Sequence, residues 1–137
     1  MTTDQATATR GVLHGLKVLD LAHHYSAAFG ACLLADYGAD VTTVESPDGN
    51  VLRGMQPRKG DVSLWSSVVE RNKANISLRL SDPEGRRLFL ELAKDYDVVI
   101  ENFRPGTLEK WGIGPDDLAA AGANVVLMRV SGYGQTG

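Results

Sequence analysis

One cysteine, Cys32, stands among 137 residues, so the chain can form no internal disulfide and has no second thiolate for a Cys-based metal motif. That usage fits a reducing, cytoplasmic setting. Histidine is almost as scarce. His23 and His24 are adjacent, so a strand or helix aims them in different directions, and no other His or Cys stands at ligand spacing; no metal is expected. No G-x-x-x-x-G-K-[ST] phosphate loop occurs, and the loop after the first apolar run lacks the G-x-G-x-x-G of dinucleotide-binding turns. Long apolar runs are missing too: residues 27–35 fall far short of the roughly 20 residues that cross a bilayer. Basic excess is absent, since the net charge is −3. The chain as a whole therefore attracts neither nucleic acid nor an anionic membrane, and any anion site must be local. Residues 1–10 carry no apolar core of the secretory kind and are expected to form a mobile tail.

What is present is the composition of a globular protein, 43% hydrophobic and 23% charged, in a length that suits one domain over residues 11–137. Lys17 to Leu21 reads as a strand, and residues 26–37 place Ala27, Ala28, Ala31, Leu34 and Ala35 at helical intervals before Gly38. Val41 to Glu45 is β-branched and ends at the turn residues Ser46-Pro47-Asp48-Gly49. A short helix is expected over 62–70, an extended segment over 76–80, and a helix from Pro83 to about Lys94, capped by Ser81 or Asp82. Residues 97–101 read as a buried strand, 115–121 as a short helix ended by Gly122, and 124–130 as another apolar strand. Strands alternating with helices predict a doubly wound, mostly parallel α/β sheet. In such a sheet the loops at 22–26, 46–53, 102–106 and 131–137 converge on the carboxyl edge, where ligands bind.

Several groups on that edge could carry chemistry, each with a plainer reading beside it. A helix opening near Ser26 offers free N–H groups to phosphate oxygens; otherwise Ser26 is a helix cap. Between 53 and 73, five basic residues, Arg53, Arg58, Lys59, Arg71 and Lys73, face two acidic ones, Asp61 and Glu70. This is either a local anion patch or a solvated loop. Asn102-Phe103-Arg104-Pro105-Gly106 joins an amide, an aromatic face and a guanidinium that could hold a planar ligand, or forms a strand-to-helix turn with Phe103 in the core. Cys32 lies on the apolar helix face and reads as a core residue. Asp20, Glu45 and Glu101 all stand at strand ends, where they fix loop geometry if they are not paired acids. His23 or His24 could act as a general base, but no acid or nucleophile partner is visible in the sequence.

The order of segments then matters: Gly15-Leu16-Lys17-Val18-Leu19-Asp20-Leu21, Leu34-Ala35-Asp36-Tyr37-Gly38-Ala39-Asp40-Val41, Val44-Glu45-Ser46-Pro47-Asp48-Gly49, Arg71-Asn72-Lys73, Pro83-Glu84-Gly85-Arg86, Glu101 to Gly106 and Ser131 to Gly137. Over residues 13–137 this resembles the amino-terminal part of the class III CoA-transferase family, which includes formyl-CoA and carnitine CoA-transferases and α-methylacyl-CoA racemases. The resemblance implies a Rossmann-like large domain, incomplete here relative to the family, in an interlocked homodimer or with a complementing chain. It implies coenzyme A or acyl-CoA as substrate and a carboxylic acid as acceptor. Carried over by position, His24, Tyr25, Ser26, Leu78, Asn102, Phe103 and Lys110 are implied CoA contacts. Arg53, Asn72 and Lys73 line the same region, and Arg104 stands within the matching Asn102 to Gly106 motif. The family's transferases use an aspartate that attacks the thioester, giving a mixed anhydride and then an aspartyl-CoA thioester. That aspartate is expected beyond residue 137, so no catalytic residue is assigned in this chain. A basic residue common in the family after the second strand is Thr43 or Ser46 here. The implied activity is that of a CoA-transferase portion; a racemase portion and a noncatalytic acyl-CoA-binding module are the alternatives.

Overall fold

The computed structural model describes residues 11–136; the tail expected over residues 1–10 lies outside the described residues. Five strands form one sheet: β1 (Lys17–Asp20), β2 (Asp40–Glu45), β5 (Lys73–Ser77), β6 (Val98–Glu101) and β7 (Val126–Arg129). Their order is β5-β2-β1-β6-β7 and every neighbouring pair is parallel. A separate antiparallel pair, β3 (Arg58–Lys59) with β4 (Val62–Ser63), projects from the connection between β2 and β5.

Alternate strand residues point to opposite faces, and the chain builds a core on each. Val18, Val41 and Ile100 face α1 (Tyr25–Asp36), whose Ala27, Ala28, Ala31 and Ala35 let the helix lie close on the sheet. Val69 of α2 (Leu64–Val69) and Leu52 of the short 3-10 turn Val51–Gly54 close that side. Leu19, Val44 and Val99 face the other way, against Phe89 and Ala93 of α3 (Pro83–Ala93), Leu108 of α4 (Thr107–Trp111), Ile113, and Leu118 of α5 (Pro115–Ala120). Helices on both faces of a parallel sheet make this the doubly wound α/β fold that the strand and helix pattern predicted. Strand order steps outward from β1 through β2 to β5, then returns past β1 to β6. The loops after β1 and β6 therefore part at a topological switch point.

Two local expectations are corrected. The extended segment predicted over 76–80 begins earlier, at Lys73, because the ladder to β2 runs from Val41↔Lys73 to Glu45↔Ser77. Leu78 still donates its N–H to the Glu45 carbonyl at 2.9 Å, but the apolar alternation of Ile76, Leu78 and Leu80 then passes from strand to cavity wall. Ser26 does not cap α1. His24 takes the cap position without a side-chain bond, and Ser26 lies exposed in the first turn. Helix α4 went unpredicted, being five residues long between two glycines, Gly106 and Gly112, both in the left-handed conformation. On the edge strand β7, Val126 is 67% and Met128 46% exposed on the face that α1 leaves uncovered.

Candidate functional site

The carboxyl ends of β1, β2 and β6 are joined by side chains that hydrogen-bond the loops beyond them. Asp20, fully buried, accepts the Ala22 N–H at 2.9 Å and the Lys73 ammonium at 2.7 Å; Lys73 also donates to the Ala28 carbonyl at 2.9 Å. Burial pushes the Asp20 carboxyl above its ordinary range, and Lys73 pulls it back. Glu45 accepts the Asn50 N–H at 3.2 Å and the Arg53 guanidinium through two bonds of 2.8 and 2.7 Å, which hold its carboxyl below the usual range. Glu101 accepts the Phe103 N–H at 2.7 Å and Arg129 at 2.8 Å. The three strand-end acids thus fix loop geometry.

These loops meet. The His23 N–H donates to Asn102 Oδ1 at 3.1 Å, Asn102 Nδ2 donates to the His24 carbonyl at 3.2 Å, and Asn50 Nδ2 donates to the Ala22 carbonyl at 2.9 Å. Between them open two cavities. A narrow one of about 130 Å³ is lined by Ser46, Gly49 and Asn50 after β2, by Leu78, Leu80 and Ser81 after β5, and by Leu21, His23, Phe103 and Trp111. A wider groove of about 720 Å³ runs on past Ser46, Asn50, Val51 and Arg53. His23, Ser46, Gly49, Asn50 and Phe103 line both, so the two form one cleft. Its aromatic members are ordered: His23 stacks on Phe103 with ring centres 4.7 Å apart and 15° between planes, and Trp111 meets Phe103 edge-on at 5.0 Å. Burial holds the His23 imidazole below its ordinary value, and its Nδ1 is buried without a hydrogen-bond partner.

The fold brings His24, Tyr25, Ser26, Arg53, Leu78, Asn102 and Phe103 to this edge from four segments. Leu78, Phe103 and Arg53 line the cavities, and Asn102 holds the β1 loop. Tyr25 stacks on Phe29 and packs edge-on against Trp65. Arg104 and Lys110 are exposed beyond β6, line neither cavity and make no ion pair among the described residues. Two residues stand apart. Asn72 donates to Asp36 at the end of α1, at the amino edge of the sheet, and the Lys73 ammonium is sealed beneath α1. The basic 53–73 window is not a patch: Arg53 pairs with Glu45, Arg71 with Asp36 and Lys73 with Asp20, all carboxylates outside the window. Ser131 to Thr136 lines neither cavity; Ser131 Oγ donates to the Gly134 carbonyl at 2.8 Å. The spacing G-x-G-x-x-G does occur at 132–137, but after the edge strand β7, and no helix opens there among the described residues. Sequence reasoning passed over Asn50, Arg79 and Trp111. The turn residues around Asn50 and the aromatic between Gly106 and Gly112 were the available signals. No group of His, Cys, Asp or Glu able to hold a metal occurs among the described residues, and no described helix is long and apolar enough to cross a membrane.

A doubly wound parallel sheet with an aromatic-lined cleft at its switch point defines an α/β protein of the kind whose ligand sites lie at the carboxyl edge of the sheet. Within that class the chain belongs to CoA-transferase family III, whose model matches residues 13–137. It is 48% identical over 134 residues to the beta subunit of succinyl-CoA–L-malate CoA-transferase from Chloroflexus aurantiacus, covering 96% of this chain and 33% of that protein. The alpha subunit from the same organism is 39% identical over 129 residues, 91% of this chain and 30% of that protein. A crystal structure of a CAIB/BAIF family protein from Brucella suis superposes with a TM-score of 0.85 at 34% identity, over 93% of this chain and 35% of that one. The chain spans about a third of the length of these relatives.

Proposed function

We propose that this chain supplies the CoA-binding portion of an acyl-CoA:carboxylate CoA-transferase, with a CoA thioester as donor and a carboxylic acid as acceptor. The observation that carries the reading is the continuity of the two cavities: a small end walled by Leu21, Val44, Leu78, Leu80 and Trp111 opens past His23 and Phe103 into a larger groove that Asp48, Asn50 and Arg53 also line. Coenzyme A has the same division, a planar purine at one end and a long polar arm at the other. The purine lies between Leu78 and Leu80 on one side and Phe103 on the other, and the arm follows the groove past Asn50 and Arg53. Tyr25 and Ser26, in the uncapped first turn of α1, present free backbone N–H groups to phosphate oxygens, favoured by the helix dipole. Arg104 and Lys110, exposed beyond β6, add unpaired positive charge.

No residue of this chain is given the nucleophile's role. The reacting carboxylate comes from the remainder of a longer protein or from a partner chain. The relatives named as alpha and beta subunits of one transferase support assembly from complementing chains. Calorimetric titration of the chain with CoA tests the reading. Saturable one-to-one binding is expected, weakened by Phe103→Ala; no binding of CoA, with or without its 3′-phosphate, would overturn it.

A further inference from the structure

Of the cations near the cleft, one is placed to change partners. Arg79 lies between two residues that line the narrow cavity, Leu78 and Leu80, and its guanidinium pairs with Asp48, which lines the wider groove between Ser46 and Gly49. The bonds are Nη1 to Oδ2 at 2.8 Å and Nη2 to Oδ1 at 3.4 Å, with Asp82 3.8 Å from Nε. Both ends are open to water, the Arg79 side chain 43% and Asp48 73% exposed. Exposed pairs of this kind are held weakly. Arg53 differs: its partner Glu45 is 12% exposed and also holds the Asn50 N–H, so releasing Arg53 would unmake the loop that shapes the cleft. Among the described residues, the Asp48 side chain bonds only Ser46 besides Arg79. Arg79, Arg104 and Lys110 all lie outside the lining of both cavities, but of the three only Arg79 is paired with a carboxylate, Asp48, that lines the larger groove.

We infer that Arg79 is the specificity residue for the phosphate on the ribose of the bound nucleotide, and that Asp48 is the internal carboxylate which this phosphate displaces. The inference rests on the CoA reading, which places the purine in the narrow cavity beside Arg79 and the ribose at its mouth. A phosphate offers the planar guanidinium more charge and more acceptor oxygens than a carboxylate, so exchange is favourable when the ligand delivers it to the same spot. Asp48 then returns to solvent, and in the unoccupied cleft Arg79 stays paired with Asp48.

The full chain is titrated with CoA and with 3′-dephospho-CoA. The native chain is expected to bind CoA about tenfold more tightly, the scale of one charge-assisted hydrogen-bonded contact. Arg79→Gln removes that preference and leaves the affinity for dephospho-CoA unchanged. Asp48→Asn enlarges the preference about threefold by removing the competitor, within the worth of an exposed pair. Equal binding of the two ligands by the native chain, or a preference that survives Arg79→Gln, overturns the inference and leaves CoA binding standing. Binding of neither ligand overturns both. Dephospho-CoA affinity that falls with Arg79→Gln also overturns it, by assigning Arg79 to the cavity wall instead.

Discussion

Two ion pairs lie near the cleft, one sealed beneath α1 and one exposed at the wider groove, and they do different work. Lys73 and Asp20 have side chains 1% and 0% exposed, and each also binds backbone: Lys73 the Ala28 carbonyl, Asp20 the Ala22 N–H. They tie the end of β1 and the first turns of α1 to the start of β5. Arg79 and Asp48 are exposed and bind mainly each other. Buried charge has been converted into backbone geometry, whereas charge at the exposed rim remains exchangeable. Counting basic residues along the chain cannot separate the two roles, since Lys73 belongs to the basic window and Arg79 lies outside it.

The largest effect is expected at the buried pair. Lys73→Met leaves the Asp20 carboxylate buried without its counter-charge and should cost about 3–5 kcal/mol of stability, read by urea unfolding. Adding Asp20→Asn should restore part of this, because the unpaired charge is gone while the amide oxygen still accepts from Ala22. At the exposed pair, Arg79→Gln should cost under about 1 kcal/mol. Comparable losses at the two sites would erase the distinction between scaffold and rim. Next in size is Gly85→Ala. Gly85 is buried in α3, and a Cβ there would land inside the carbonyl group of Arg79, backbone against backbone. The segment carrying Leu78 and Leu80 must move, at about 1–3 kcal/mol. CoA affinity should fall for this variant more than for Arg79→Gln, since the wall itself shifts. Phe103→Leu comes third: losing the stacks on His23 and Trp111 should cost about 1 kcal/mol and weaken CoA binding.

Much of this arrangement was readable from residues alone, and the failures have physical causes. Strands β1, β2, β6 and β7 fell within two residues of their predicted ends because parallel strands are short apolar runs bounded by turn residues, even where, as in the edge strand β7, they stay partly exposed. The convergence of the loops at 22–26, 46–53 and 102–106 followed from fold class, and Asn50 and Asn102 are the bonds that make it real. The basic window failed because ion pairing is long-range: Asp36 lies 35 residues from Arg71 and Asp20 53 residues from Lys73. Only the sheet order brings such residues together. Arg79 went unnoticed for the converse reason, since nothing local distinguishes a surface arginine from one that pairs with Asp48 of the groove. Ser26 misled because a cap residue was sought by type, while α1 opens one residue earlier at a position with no side-chain cap.

The smallest prediction concerns pH and separates the aromatic lining of the cleft from its polar loop. The His23 ring lies against Phe103, and burial holds its imidazole below 6.5, reinforced by His24 and opposed by Glu101. As pH falls below 6.5 the unfolded chain takes up this proton before the folded one does. Stability linked to His23 is therefore fully present above 6.5 and lost as pH falls through the lower folded value. Glu45 follows the same rule in a lower window. Its bonds to Arg53 hold it below 4.5, so its contribution is complete above 4.5 and lost as its carboxylate is protonated. Melting temperatures followed from about pH 8 down to about pH 3 should show two separate declines. His23→Gln should flatten the upper one, and Arg53→Gln should make the lower one shallower, since Asp36, Asp48, Glu84, Glu91 and Glu109 are also held below their ordinary range by their cations and share that window. An upper decline that survives His23→Gln would assign that proton elsewhere and leave the stack on Phe103 without a role in keeping the ring neutral.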